Sequence, residues 1–189
     1  IWEADPKDGP VFLNKWDISD AFHRCLLRPE DVGTFAYVIP PLPSDTEQLL
    51  CIDLVLPMGW VNSPDLFCAT SETVADLANV AFHSNLPLPR TYSPTATLYH
   101  CAPSPTAGPD RLQYVDVYMD DLNCLSQGDS LQQQRLTEIV LSKLKMIYPA
   151  VDGEVKNSVS LKKAQAGDGN WSVSKEILAV SYTHLTLPT

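Results

Sequence analysis

A chain of 189 residues has the length of one compact domain, since domains commonly run to about 100–200 residues. Thirteen Lys and Arg against twenty-three Asp and Glu leave a formal charge of −10, which argues against a surface that wraps nucleic acid by bulk electrostatics. Apolar residues make up 44% of the chain, but no run approaches the roughly 18 consecutive apolar residues of a membrane-spanning helix, so a transmembrane reading is excluded.

Five cysteines, Cys25, Cys51, Cys68, Cys101 and Cys124, are scattered without a C-x-x-C pair. Neither a zinc knuckle nor a disulfide framework is signalled, and reduced thiols in an intracellular setting are expected. The chain starts at Ile1 without a basic and then apolar leader, and is read as an internal piece of something longer. Residues 1 to 121 carry 17 acidic and 6 basic side chains, and residues 122 to 189 carry 6 and 7. The acidic excess therefore belongs to the first part.

In chain order, residues 12–18 (Phe-Leu-Asn-Lys-Trp-Asp-Ile) alternate well enough for a short strand with Asp17 near its end. A turn or short helix follows through Ser19 to Cys25. Residues 34–39 and 50–56 read as an antiparallel pair of strands, separated by a polar stretch that Pro40, Pro41 and Pro43 open. Ser63-Pro64-Asp65 signals a helix start, with Ser63 as the cap that accepts from a backbone N–H. Leu66, Thr70, Val74, Leu77 and Ala81 then recur at helical spacing.

Between Leu86 and Arg111 the pattern disappears and six of the sixteen prolines occur, so residues 85–112 are expected to form a long exposed insertion. Residues 114–119 and 122–125 read as a hairpin with Asp120-Asp121 at its tip. Ser130-x-x-Gln133 suggests a capping box for a helix with a stripe of Leu136, Val140, Leu144 and Ile147, ended by Pro149. That helix should cover one face of the sheet. Residues 181–189 continue no pattern and are set apart from the fold as a non-native tail.

A pair of acids at a turn is more often a solvated loop than a metal site. Asp120-Asp121 differs in being flanked by apolar strand residues on both sides, where two carboxylates are costly unless a cation neutralises them. If the strand ending at Asp17 neighbours the hairpin, three carboxylates converge at one sheet edge. Hard oxygen ligands of this kind suit Mg²⁺ or Mn²⁺ and not Zn²⁺.

Asp17-Ile18-Ser19-Asp20-Ala21-Phe22, the block Leu56-Pro57-Met58-Gly59-Trp60-Val61-Asn62-Ser63-Pro64, and Tyr118-Met119-Asp120-Asp121 resemble motifs A, B and C of reverse transcriptases. Order and spacing also match, apart from the proline-rich insertion between the second and third. The resemblance covers roughly Val11 to Ala179 and is closest to the polymerase segment of retrotransposon and retroviral polyproteins. It implies an α+β fold, the palm of a right-hand polymerase with an antiparallel sheet packed on helices, and partial fingers, over residues 1–180.

The implied activity is RNA-directed DNA polymerisation. Asp17 and Asp120, with Asp121 as a weaker or shared ligand, would hold two Mg²⁺ (or Mn²⁺) ions about 3.5–4 Å apart. One would activate a primer 3′-hydroxyl and the other would stabilise the leaving pyrophosphate. Phe22 takes the place of the steric gate that leaves no space for a ribose 2′-hydroxyl; without the resemblance it reads as a core aromatic on a turn. Met58 stands where retroviral enzymes carry a glutamine that contacts the nucleotide sugar. Gly59 would allow close approach of nucleotide or template, and Lys162 or Lys163 resembles the lysine that protonates pyrophosphate, a basic solvated turn being the alternative.

Residues 171–179 resemble the start of a primer-grip hairpin. Implied partners are an RNA or DNA template with primer, dNTPs, and the remaining fingers, thumb and ribonuclease H regions of a parent polyprotein, in the cytoplasm or in virus-like particles. The isolated fragment is expected to be inactive. An inactive or domesticated palm that only binds nucleic acid or a partner is the alternative. An RNA-dependent RNA polymerase is opposed by Phe22 and by Tyr118-Met119 before the paired acids.

Overall fold

The computed structural model describes residues 4–43, 46–83, 112–149, 157–177 and 180–183. The insertion expected at 85–112 lies outside them except for Leu112, as do residues 184–189 of the tail. The fold is mixed, with antiparallel sheets and, among the described residues, three α-helices, and divides into two compact units: residues 20–68, and residues 1–19 with 69–189.

The larger unit is built on a three-stranded sheet in the order β1-β5-β4, where β1 is Phe12–Asp17, β4 is Gln113–Tyr118 and β5 is Asp121–Ser126. Both pairings are antiparallel. Asp17 faces Asp121 across one ladder and Tyr118 faces Asp121 across the other. Because side chains alternate along a strand, the register sorts the sheet into two faces. On one lie Asn14, Gln113, Val115, Leu122, Cys124 and Ser126, all buried. On the other lie Leu13, Lys15, Asp17, Asp121 and Asn123, with Tyr114, Asp116 and Tyr118 exposed along β4.

The first face is apolar enough to need a helical cover. α2 (Ser130–Ile147) packs on β5 and buries Leu136, Ile139, Val140 and Leu144, so the expected stripe is extended by Ile139, while Ile147 is only half-buried. Its cap is displaced by one residue from the expected Ser130. The Asp129 carboxylate accepts from Gln132 N at 2.9 Å, and Gln132 Oε1 accepts from Asp129 N at 3.1 Å. Asp outcompetes the neighbouring Ser here because its side chain reaches the third backbone N–H while the third side chain returns the bond. Gly128, just before the cap, has no room for a side chain: a Cβ would stand 2.6 Å from both Gln113 Nε2 and Gln132 Cβ.

α1 (Ser63–His83) starts at the expected residue, but its buried side is rotated. Phe67, Ser71, Val74, Ala75, Ala78, Ala81 and Phe82 are buried, whereas Leu66 is exposed. Both stripes have helical period, and the aromatic at 67 decides which one faces inward, since it removes more apolar area from water than Leu66 would. The Ser63 hydroxyl donates to the Pro57 carbonyl at 2.7 Å, so it ties down the preceding turn in place of the capping role expected of it. Further along, the Asn79 side chain brackets Val115, donating to its carbonyl at 2.9 Å and accepting from its N–H at 2.8 Å. This satisfies the outer edge of β4 at one residue, which a strand edge otherwise leaves unpaired.

The free edge of β1 is closed by single bridges from the C-terminal part of the chain, Leu13 to Ser172 and Ile18 to Val159. Between those two points run α3 (Leu161–Lys163) and a wide helical turn, Ala164–Asp168. β6 (Ser174–Ile177) pairs antiparallel with β7 (Val180–Thr183) and lies against β1. Residues 181–183, assigned above to the tail, thus complete a hairpin.

The smaller unit holds the two short strands β2 (Ala36–Val38) and β3 (Leu50–Ile52), antiparallel as expected and shorter than the apolar runs that signalled them. Ala21–Arg24 form the short helical turn expected after Asp17. No described helix is long and apolar enough to cross a membrane.

Candidate functional site

β1 and the β4–β5 hairpin bring the predicted carboxylates to one end of the sheet. The Tyr118–Asp121 pair leaves Met119 and Asp120 as a two-residue turn, a geometry that demands positive φ. Met119 supplies it at φ 55, where Gly or Asn is the usual choice, at a cost of about 1–3 kcal/mol. The hairpin is anchored to the neighbouring strand by its backbone, the Ile18 N–H donating to the Asp120 carbonyl at 2.8 Å. Asp17 and Asp121 are therefore direct cross-strand neighbours on one face, with Asp120 next in the turn.

Like-charged neighbours on a sheet are destabilising unless something offsets them. Two lysines do so. Lys15, two residues before Asp17 and on the same face, places Nζ 2.8 Å from Asp121 Oδ2, both side chains being about 15% exposed. Lys163, on α3, donates to Asp17 Oδ2. The Asp17 side chain is 7% exposed and that of Lys163 51%. The Ser160 N–H donates to the Asp17 carbonyl at 3.0 Å, so the backbone just before α3 is pinned beside the residue its lysine meets.

Burial pushes the Asp17 carboxyl above the ordinary aspartate value, the Lys163 hydrogen bond and charge oppose this, and the Asp120 and Asp121 charges reinforce it. Lys163 is raised in turn, first by the hydrogen bond to Asp17. An aspartate that resists ionising even with an ammonium attached sits where further positive charge is favourable. The donor set suits a hard divalent cation. Among the described residues, no group of three or more His, Cys, Asp and Glu side chains is gathered as a ready metal cage, and a bound ion would have to take over from the lysines.

Of the two candidate lysines, Lys163 reaches the acids and Lys162 makes no such contact with Asp17. Lys15 was not signalled by motif reasoning, although its position two residues before Asp17 on a strand puts both on one face.

Phe22, Met58 and Gly59 belong to the smaller unit. Phe22 is half-buried and packs on the fully buried Phe67, ring centroids 5.1 Å apart at 52°. Met58 is 76% exposed. Gly59 adopts φ 94 with no atom within 4 Å of where a Cβ would stand, so its glycine is required by the turn and the space before it is open. Among the described residues, Cys25, Cys51, Cys68 and Cys124 form no disulfide.

Comparison with protein-family models and with curated proteins finds no match to the chain.

Proposed function

We propose that the chain is the palm region, with part of the fingers, of an RNA-directed DNA polymerase that adds deoxynucleotides to a primer 3′-hydroxyl. The observation that carries this reading is the register that makes Asp17 the cross-strand neighbour of Asp121, beside the Met119-Asp120 turn. Two segments that resemble polymerase motifs and lie roughly a hundred residues apart in sequence meet at their acidic residues, as a shared site requires.

Asp17 and Asp120 would hold Mg²⁺ or Mn²⁺, with Asp121 alongside. When bound, such an ion supplies positive charge that favours deprotonation of the attacking hydroxyl and offsets charge on the departing pyrophosphate. The chain's own residues do the rest. Lys163, the candidate lysine whose ammonium meets Asp17, would give a proton to the leaving group. The resemblance would make Phe22 the residue that excludes a ribose 2′-hydroxyl and Gly59, whose turn requires glycine, a point of close approach for nucleotide or template. The exposed β4 positions Tyr114, Asp116 and Tyr118 flank the acids on the same face, where primer and template would lie. Fingers, thumb and ribonuclease H regions of a parent polyprotein complete the enzyme in the cytoplasm or in virus-like particles, and the 189-residue chain alone is inactive.

The deciding assay is primer extension on poly(rA) with dTTP and Mg²⁺, with the chain placed in its parent polyprotein. Extension should be abolished by Asp120→Asn, and a signal that survives the substitution refutes the reading. A second reading, a palm that only binds nucleic acid or a partner, is favoured by the two lysine–aspartate pairs, which neutralise Asp17 and Asp121 without an ion. It requires Mn²⁺ affinity of the chain to be indifferent to Asp120→Asn.

A further inference from the structure

Resting on the polymerase reading, we propose that Lys15 is a positioning residue that holds the Asp121 carboxylate out of the cation site and leaves Asp17 and Asp120 as its ligands. The two ion pairs of the site are unequal. Lys163 stands on a short helix with half its side chain in water, so its ammonium can leave Asp17 and be rehydrated at little cost. Lys15 projects from the edge of a hydrogen-bonded strand, and both it and Asp121 are largely enclosed, at 14% and 15% exposure. Separating them would strand two poorly hydrated charges.

Of the two ammoniums, Lys163 would therefore give way to a cation and Lys15 would stay. Asp17 would then be a ligand, while Asp121, with one oxygen engaged by Lys15 and its charge offset, would be the poorer donor to a hard ion. The sheet register enforces the choice. Lys15 is the cross-strand neighbour of Asn123 and reaches Asp121 diagonally, a direction long side chains span on a shared face. Asn123 itself leans toward the hairpin, its Nδ2 donating to the Asp121 carbonyl at 3.3 Å. No equivalent lysine pair holds Asp120 among the described ion pairs.

The test is a Mn²⁺ titration of the 189-residue chain, with free Mn²⁺ read by electron paramagnetic resonance, in a double-mutant cycle of Lys15→Met and Asp121→Asn. With Lys15 present, Asp121→Asn should change the affinity by less than about threefold; in the Lys15→Met background it should weaken it by about tenfold or more, because the released carboxylate now contributes. Lys15→Arg, which preserves the ion pair, should behave as the unmodified chain. Equal effects of Asp121→Asn in both backgrounds overturn the inference, as does a Lys15→Met variant that only lowers the urea midpoint. Asp120→Asn keeps the two questions apart. If it abolishes Mn²⁺ binding while the cycle shows no coupling, only the role of Lys15 fails; if binding ignores Asp120, the polymerase reading fails and the role of Lys15 with it.

Discussion

Replacing Lys163 by Met removes the ammonium from Asp17 and keeps much of the aliphatic stem. The carboxylate left behind is 7% exposed and already reluctant to ionise, chiefly through burial and then through the Asp120 and Asp121 charges. Breaking a fully buried pair costs about 3–5 kcal/mol, whereas exposed pairs are worth about 0–1 kcal/mol. Half of Lys163 lies in solvent, so the value is discounted toward the lower figure, to about 1–2 kcal/mol at pH 7. For a chain of this length that is a fall of about 2–8 °C in Tm. Urea unfolding of the single variants and of Asp17→Asn/Lys163→Met is the assay. With Asp17 neutralised, Lys163→Met should cost less than about 0.5 kcal/mol, and an equal loss in both backgrounds would refute the electrostatic account. The sign with pH is fixed as well. The folded value of Asp17 lies above its ordinary 3.8, so its carboxylate form disfavours the fold as pH rises through that window, and the penalty for losing Lys163 shrinks as acid protonates Asp17. Lys163, raised above 10.5, contributes fully below that pH and ceases to contribute as pH climbs through its folded value.

Asp129→Ala removes one capping bond directly and leaves the Gln132 side chain without its reciprocal role; urea denaturation should register a loss of about 1 kcal/mol, and no change would mean that Ser130 takes over the cap. In the parent polyprotein, Phe22→Val should raise ribonucleotide incorporation in primer extension. Unaltered discrimination would reduce Phe22 to its packing on Phe67.

The strands and helices legible in the sequence are those whose pattern and punctuation agree. β1, the β4–β5 hairpin and α2 each combine clean periodicity with a turn or cap signal, and all three form close to where the residues put them. The misplacements have local causes. Leu66 and Phe67 are adjacent apolar residues, so periodicity admits two phases for α1, and only packing of the larger ring selects one. Ser130 and Asp129 are both competent caps, and the reciprocal bond with Gln132 is a matter of geometry that spacing alone does not separate from Gln133. Convergence of Asp17 with Asp120-Asp121 was a conditional expectation, because which strand lies beside the hairpin depends on long-range pairing. Lys15 was hidden for a different reason: its importance comes from the carboxylate diagonal to it on the next strand, and no local pattern names that partner.

Placing β5 between β1 and β4 makes the sheet's assembly unequal in time. The hairpin closes over two residues, whereas β1 must find β5 across roughly a hundred residues of intervening chain, the kind of closure that slows folding most. Once that ring is so long, lengthening it is cheap, since even doubling it adds only about 0.6 kcal/mol of closure entropy. Loop residues outside α1 and the short strands can therefore be gained or lost between the first and second acidic elements at little cost in closure entropy, while a single-residue slip in the β1–β5 register would turn Asp17 to the opposite face. Evolution of this chain is thus expected to be tolerant in loop length and strict in strand phase.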